Sequence, residues 1–324
     1  MVNWFYGDRY RLHILESFDQ MKAIEDLQRE VWPGDETGIV PSHLLLTIVH
    51  NGGLIIGAYQ ISESKSSTPE NDNFIKEEIP QDAPLIGFVY GFPGIYSTPD
   101  GPRLKHCSHQ MGVHPQHRDQ GIGFVLKRAQ WQMVRHQGID RITWTYDPLQ
   151  SRNAYLNIAK LGAVCNTYLR DIYGSMEDDL NYGISSDRFQ VDWWTNTQRA
   201  KQRLNRNPRL KLDLAHFLAA GAEIVNPTFE RKDGLPRAYF DRIDEMTEKL
   251  INANGEPSII LIEIPADFID LKAKDFVLAQ EWRLFSRTLF EFYFGHGYLA
   301  TDFVRLVGEK ARSFYVLIFG ERTL

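Results

Sequence analysis

The stretch Met111–Gly123 reads MGVHPQHRDQGIG and has the residue types of an anion site. A strand pattern ends at Val113, His114-Pro115 breaks it, and Arg118-Asp119-Gln120-Gly121-Ile122-Gly123 opens a helix whose body is Phe124–Gln137. The first turn of a helix has unpaired N–H groups and the positive end of the dipole. Gly121 and Gly123 carry no side chain, so a phosphate oxygen can approach the backbone closely. Arg118 adds a fixed positive charge. Several converging N–H groups suit a pyrophosphate better than a single carboxylate. The stretch is neither GxGxxG after a first strand nor GxxxxGK[ST], which sets aside a dinucleotide fold and a P-loop NTPase. The same glycines also suit a turn that only packs a helix tightly on a strand.

The elements that must position this turn follow from spacing. Arg9–Leu15 alternates as a strand. Ser17 and Gln20 form a capping box for a helix over Phe18–Trp32, stopped by Pro33-Gly34. A short helix at Ser42–Val49 is followed by a strand at Leu54–Ile61. Residues 62–83, rich in Ser, Glu, Asp and Pro, read as a solvated insertion. Pro84–Phe92 is the paired strand, followed by a Pro/Gly loop through Pro102. His106–Val113 leads into the glycine turn, its helix closes at Gly138, and Ile142–Tyr146 is a further strand. A helix at Arg152–Lys160 ends at Gly162, and Ala163–Tyr173 and Phe189–Trp194 read as strands. The basic run 195–211 reads as a solvated linker or exposed helix. A second unit begins near Leu212, with strands at Ile259–Ile264, Tyr298–Val304 and Ser313–Phe319 and a helix over Phe276–Phe294. Phe124-Val125-Leu126 and Phe276-Val277-Leu278 open helices with Trp131 and Trp282, a weak internal echo.

Val113-x-Pro115-x-x-Arg118-x-x-Gly121-Ile122-Gly123-x-x-Leu126 resembles the central motif of the GNAT acyltransferase superfamily. Downstream, ITWTY, Asn153-Ala154 and Lys160-Leu161-Gly162-Ala163 resemble its second motif, and the resemblance covers roughly residues 8–175. It implies a GNAT-like mixed α/β fold with a mostly antiparallel sheet flanked by helices. It also implies acetyl-CoA or another acyl-CoA as cosubstrate. Backbone N–H groups of Arg118, Gln120, Gly121, Ile122 and Gly123 would hold the pyrophosphate. The backbone of Met111–Val113 would pair with the pantetheine arm, and an N–H near Met111 would polarise the thioester carbonyl. Direct attack by an amine then needs a base for the ammonium proton and an acid for the leaving thiolate.

The motif departs from the family pattern at two places. Ser151 stands where the second motif has Asn, and Ile158 where it has the thiolate-protonating Tyr. Tyr155, one turn earlier, is the substitute, though its position also suits helix packing. Asn153 is a pantetheine contact or a helix cap, with Ser151 the rival cap. His109 is the candidate base, with an imidazole pKa near 6.5. It lies two residues before Met111, so strict alternation puts both on one face, with His106 and Gln110 on the other. A bulge would reverse that assignment. On the acceptor side, Glu177, Asp178 and Asp179 could hold an ammonium group and Arg188 a carboxylate.

The chain has 324 residues, which at roughly 100–200 per domain suits two domains or one large one. The expected division is an acyl-CoA-binding domain over 1–195, a linker over 196–211 and an α/β domain over 212–324. Hydrophobic residues at 43% and charged residues at 24% allow a large core. A net charge of −6 argues against nucleic acid as partner. The two cysteines, Cys107 and Cys165, cannot form a disulfide framework, and the histidines show no metal-ligand spacing. No apolar run approaches the ~20 residues that span a bilayer, nor is there a signal-peptide pattern. The expectation is a cytoplasmic, metal-free enzyme that acylates a small-molecule amine, an amino acid among the candidates, and could form a homodimer. The alternative is a catalytically silent acyl-CoA-binding or scaffold protein.

Overall fold

In the computed structural model, residues 3–5, 10–34, 36–61, 83–174, 182–205, 212–245, 247 and 258–320 are described. Nearly all of the insertion expected at 62–83, and Glu177, Asp178 and Asp179, lie outside the described residues. The chain divides into two units, Met1–Thr143 and Trp144–Leu324.

The first unit runs β1 (Asn3–Phe5), β2 (Tyr10–Ile14), α1 (Phe18–Val31), α2 (Ser42–His50), β3 (Leu54–Gln60), β4 (Leu85–Thr98), β5 (Gly101–Val113), α3 (Ile122–His136) and β6 (Arg141–Tyr146), the last crossing the division. Ser17 caps α1 as its spacing requires, with Gln20 Oε1 accepting from the Ser17 N–H at 3.0 Å. The sheet order is β1-β2-β3-β4-β5-β6, antiparallel as far as β5 and parallel between β5 and β6. One face is covered by α1 and α2 through Met21, Ile24, Leu27, Leu45, Phe88 and Tyr90. On the other face α3 lies against β3, β4 and β5. Gln28 of α1 holds the α1–α2 connection from both sides, donating to the Val40 carbonyl at 3.0 Å and accepting from the Val40 N–H at 2.8 Å.

The loop expected through Pro102 is instead strand. β4 and β5 stay paired from Pro93↔His106 to Thr98↔Gly101, and Gly101 takes φ 111° at the end of the turn. The prolines read as loop signals occupy a hairpin that β3 does not flank, since β3 pairs no farther along β4 than Gly91. Proline is tolerated at such an edge.

In the second unit α4 (Ser151–Ala154) runs into a π-helical turn, Tyr155–Lys160. There follow β7 (Val164–Leu169), β8 (Arg188–Trp194), α5 (Gln198–Arg203), α6 (Leu214–Ala219), β9 (Glu223–Ile224), β10 (Thr228–Glu230), β11 (Pro236–Ala238), β12 (Ile259–Ile264), α7 (Phe268–Lys274), α8 (Phe276–Gly295), β13 (Tyr298–Leu306) and β14 (Arg312–Phe319). Its larger sheet is ordered β8-β7-β13-β14-β12-β9, antiparallel except for β12 with β9. Two hairpins, β7–β8 and β13–β14, thus meet edge to edge at Cys165↔Ala300. Of the two helices in the weak echo, α3 leads to the single strand β6 and α8 to the hairpin β13–β14.

The basic run does not read as solvated throughout. In α5, Arg199 donates to the Gly162 carbonyl and Arg203 to that of Ala159, and Ala200 is buried. These arginines satisfy carbonyls left open at the end of the preceding helical segment. No helix among the described residues is long and apolar enough to cross a membrane, and none of their side chains form a group of three or more His, Cys, Asp or Glu suited to a metal.

Candidate active site

Strand β5 carries His109 and Met111–Val113, the candidates read from the sequence, and its hydrogen-bond ladder decides which of their backbone groups are available. The His114 N–H bonds the Ile86 carbonyl on β4 at 2.9 Å. Alternation along an antiparallel pair then turns the backbone groups of Val113 and Met111 away from β4. Pairing with β6 is confined to His106↔Ile142 and Cys107↔Thr143. Within this unit the Met111–Val113 edge therefore has no neighbouring strand among the described residues.

That edge leads into the glycine turn. Gly121 is the N-cap of α3 at φ 83°, a conformation that disfavours any side chain. A Cβ built there would meet nothing within 4 Å, so the position opens to solvent. The N–H groups of Gln120, Gly121, Ile122 and Gly123 have no acceptor among the described residues. The Arg118 N–H, expected among the donors, turns to the Pro115 carbonyl at 3.4 Å instead. The Arg118 guanidinium also works on the protein, reaching the carbonyls of Val113 at 3.4 Å and Val31 at 3.2 Å. It ties the turn to β5 and to the end of α1 while leaving a positive charge beside the open N–H groups. His114 adds a second tie to α1 through Glu30, at 2.8 Å.

The bulge that the sequence left open is present. Tyr90 pairs with Gln110 and Gly91 with Ser108, so His109 is the extra residue. Its ring stands edge-on to Tyr90 at 5.6 Å and tilted to Phe92 at 6.0 Å. Tyr90 belongs to the α1–α2 face. Ser108 and, by alternation through Val89, Met111 face α3. His109 and Met111 are thus on opposite faces, which corrects the strict-alternation expectation, and Gln110 shares the face of His109. A bulge places two successive side chains on the same side. His109 stays exposed to solvent on that side, and partial desolvation beside the two rings lowers its pKa. Gln110 fixes the surroundings, accepting from the Tyr90 hydroxyl at 3.1 Å and donating to the Gly38 carbonyl of the α1–α2 connection at 3.3 Å.

Tyr155 and Asn153 belong to the second unit. Neither Asn153 nor Ser151 caps α4: its N-cap is Gln150, without a side-chain bond, and Asn153 is exposed. Ser151 is buried and shares a 2.8 Å hydrogen bond with Ser313. Cations sit over the Tyr155 ring from Arg305 at 5.5 Å and Lys160 at 5.7 Å. Ile158 is fully buried. The π turn widens the helix, so side chains counted at α-helical spacing do not keep their faces. Arg188, proposed for a carboxylate, is also buried, donates to the Asp187 carbonyl and lies over the Tyr173 ring.

Sequence reasoning missed a buried polar cluster behind β5. Lys127 donates to Ser108 Oγ at 2.6 Å and to Gln130 Oε1 at 3.3 Å, Ser108 bonds Gln130 at 2.9 Å, and Gln130 Nε2 meets His106 Nε2 at 3.2 Å. Its signal was two polar residues three apart on the buried side of α3, facing alternate polar residues of β5.

No family model matches the chain, and no curated protein does. Among solved structures, the ribosomal-protein-S5-alanine acetyltransferase from Vibrio fischeri matches at 15% identity over 60% of this chain and 98% of that one, with a TM-score of 0.42. Arabidopsis thaliana NAA60 in complex with acetyl-CoA matches at 14% identity, over 58% and 99%, also at 0.42. Aminoglycoside 6'-acetyltransferase type Ii matches at 15% identity, over 61% and 99%, at 0.38. Likenesses this distant carry nothing about substrate or turnover. The first unit nevertheless has the strand, two helices, three strands, helix and strand that the motif resemblance implies.

Proposed function

We propose that the chain is an acyl-CoA-dependent N-acyltransferase, using acetyl-CoA or a close acyl-CoA on the amine of a small molecule. The observation that supports this best is a pair of open backbone sites on one stretch of chain: the free Met111–Val113 edge and, after an internally bonded turn, four open N–H groups at the start of α3. An extended amide-bearing arm pairs with the first part, and a diphosphate is held by the second. A mononucleotide alone would leave the strand edge unused.

The roles then fall on named groups. The N–H groups of Gln120–Gly123 hold the diphosphate, with Arg118 supplying charge. The Met111 N–H polarises the thioester carbonyl, where negative charge develops on attack. His109, on the other face, takes the ammonium proton directly or through water. The amine nitrogen bonds the carbonyl carbon, the carbon–sulfur bond breaks, and the departing thiolate takes up a proton. Tyr155 as its donor, and Asn153 as a pantetheine contact, rest on the motif alignment alone.

Calorimetric titration with acetyl-CoA, followed by turnover on a panel of amines, tests this reading. Binding at micromolar to sub-millimolar concentration with acyl transfer to at least one amine is expected. No binding of any CoA species at millimolar concentration would overturn it. Buried Ile158 at the family's Tyr position favours one rival, a silent acyl-CoA-binding protein. Tight binding without turnover on any amine would select that rival.

A further inference from the structure

Four polar side chains lie between α3 and β5, all of them nearly sealed: His106 and Gln130 at 0%, Lys127 at 3% and Ser108 at 5% exposure. Their proton inventory is directional. Gln130 Oε1 accepts from Lys127 and Ser108, so its Nε2 donates to His106 Nε2. The imidazole proton then sits on Nδ1, which is buried without a partner. Gly91 makes room for this ring, since a Cβ there would come within 2.3 Å of His106 Nε2. Burial lowers the His106 pKa to about 3, helped by Lys127, and lowers that of Lys127 to about 7. Such groups cost folding stability, and an apolar replacement of similar volume is often neutral or stabilising.

What the cluster supplies is register. Lys127 and Gln130 lie on α3, whose first turn carries the open N–H groups. Ser108 is the last residue before the bulge that sets Met111 and His109 on opposite faces. The apolar contacts of this interface, such as Ile122 and Leu126 near Gly87, constrain a slide along the helix axis only weakly. Hydrogen bonds from a helix to a strand constrain it directly. We propose that Lys127, Ser108 and Gln130 are positioning residues that fix α3 against β5, so that the diphosphate turn and the Met111–Val113 edge engage one acyl-CoA at once. This rests on the acyl-CoA reading above. A ligand held at two ends gains from the second contact only if both are at the right separation.

The test compares CoA with adenosine 5′-diphosphate, which has the diphosphate but no pantetheine arm. Affinities for both are measured by calorimetry on wild type, Lys127→Met and Ser108→Ala, with urea curves confirming that each variant is folded. Wild type is expected to bind CoA more tightly than the diphosphate. The variants should keep wild-type affinity for the diphosphate and lose about tenfold or more of the CoA advantage. A merely structural role moves the urea midpoint and leaves the ratio of the two affinities alone, and an unchanged ratio in both folded variants would overturn the proposal. If wild type binds neither ligand, the acyl-CoA reading falls and this inference with it. Ser108→Ala removes only one oxygen, so it decides the matter if Lys127→Met does not fold.

Discussion

Replacing Gly121 separates the backbone requirement of the turn from its electrostatics. At φ 83° any L-residue pays a left-handed conformational cost of about 1–2 kcal/mol. Because a Cβ there meets nothing within 4 Å, no steric cost is added. Gly121→Ala and Gly121→Glu should therefore both melt lower, by about 2–8 °C at ~2–4 °C per kcal/mol. They diverge only with ligand. A carboxylate about 5 Å from a diphosphate charge repels it by about 3 kcal/mol at an effective dielectric of ~20. Salt trims this at an exposed position. Gly121→Glu should bind CoA at least about tenfold more weakly than Gly121→Ala, with the gap narrowing as salt is raised. Gly121→Ala should stay within a few-fold of wild type, since its N–H remains. The assay is calorimetric titration of CoA at two ionic strengths, on variants whose melting curves establish that they are folded. Equal CoA affinity in the two variants would refute the placement of the diphosphate at this turn.

Lys127 gives a pH signature. Its folded pKa of about 7 lies below the ordinary lysine value, so between those limits the unfolded chain binds the extra proton. Stability should rise with pH from about 7 to 10.5, at up to about 1.4 kcal/mol per unit, and Lys127→Met should remove that slope in urea unfolding. For His109, partial desolvation lowers the pKa and the neutral ring is the base. The acid limb of kcat/KM should therefore lie below the ordinary value of about 6.5, and His109→Gln should abolish the limb together with most of the rate. In the second unit, Arg283 holds Asp147 through bonds of 2.8 and 2.6 Å with both groups buried. Burial opposes the Arg283 charge, but Asp147 overcomes it and raises the pKa. Arg283→Met should cost about 3–5 kcal/mol in denaturant unfolding, and adding Asp147→Leu should recover much of it. Gly91→Ala should destabilise by about 1–3 kcal/mol, because the new methyl meets His106 and the Cys107 carbonyl.

Local chemistry was legible in the sequence where it acts locally. Ser17 and Gln20 announced the start of α1, and the strand read at Leu54–Ile61 and the glycine turn at Gly121 lie where the sequence put them. Features fixed by a neighbour were not legible. Pro93 and Pro102 read as loop, yet the long β4–β5 hairpin absorbs both. The bulge at His109 depends on how β5 pairs with β4, and no property of HCSHQMGV dictates it. The π turn at Tyr155–Lys160 defeated a count made at 3.6 residues per turn. Arg199 and Arg203 looked solvated because the carbonyls they cap, Gly162 and Ala159, are distant in sequence. Of the candidate site, the glycine turn could be read from the residues, and the open strand edge from the motif resemblance. The cluster behind β5 could not, since a lysine on an amphipathic helix ordinarily faces water.

The edge-to-edge meeting of the β7–β8 and β13–β14 hairpins has a consequence for the growing chain. During synthesis the β7–β8 hairpin is complete long before β13 emerges, because α5 to α8 lie between them. Throughout that interval the β7 edge that will pair with β13 presents bare backbone donors and acceptors, the ordinary seed of intermolecular strand pairing. Its closure is a late, non-local step, and such steps are slow. Nascent chains stalled before Tyr298 should therefore be the aggregation-prone species. Completing β13 would then end the hazard as well as the sheet, the chain serving as chaperone to its own edge.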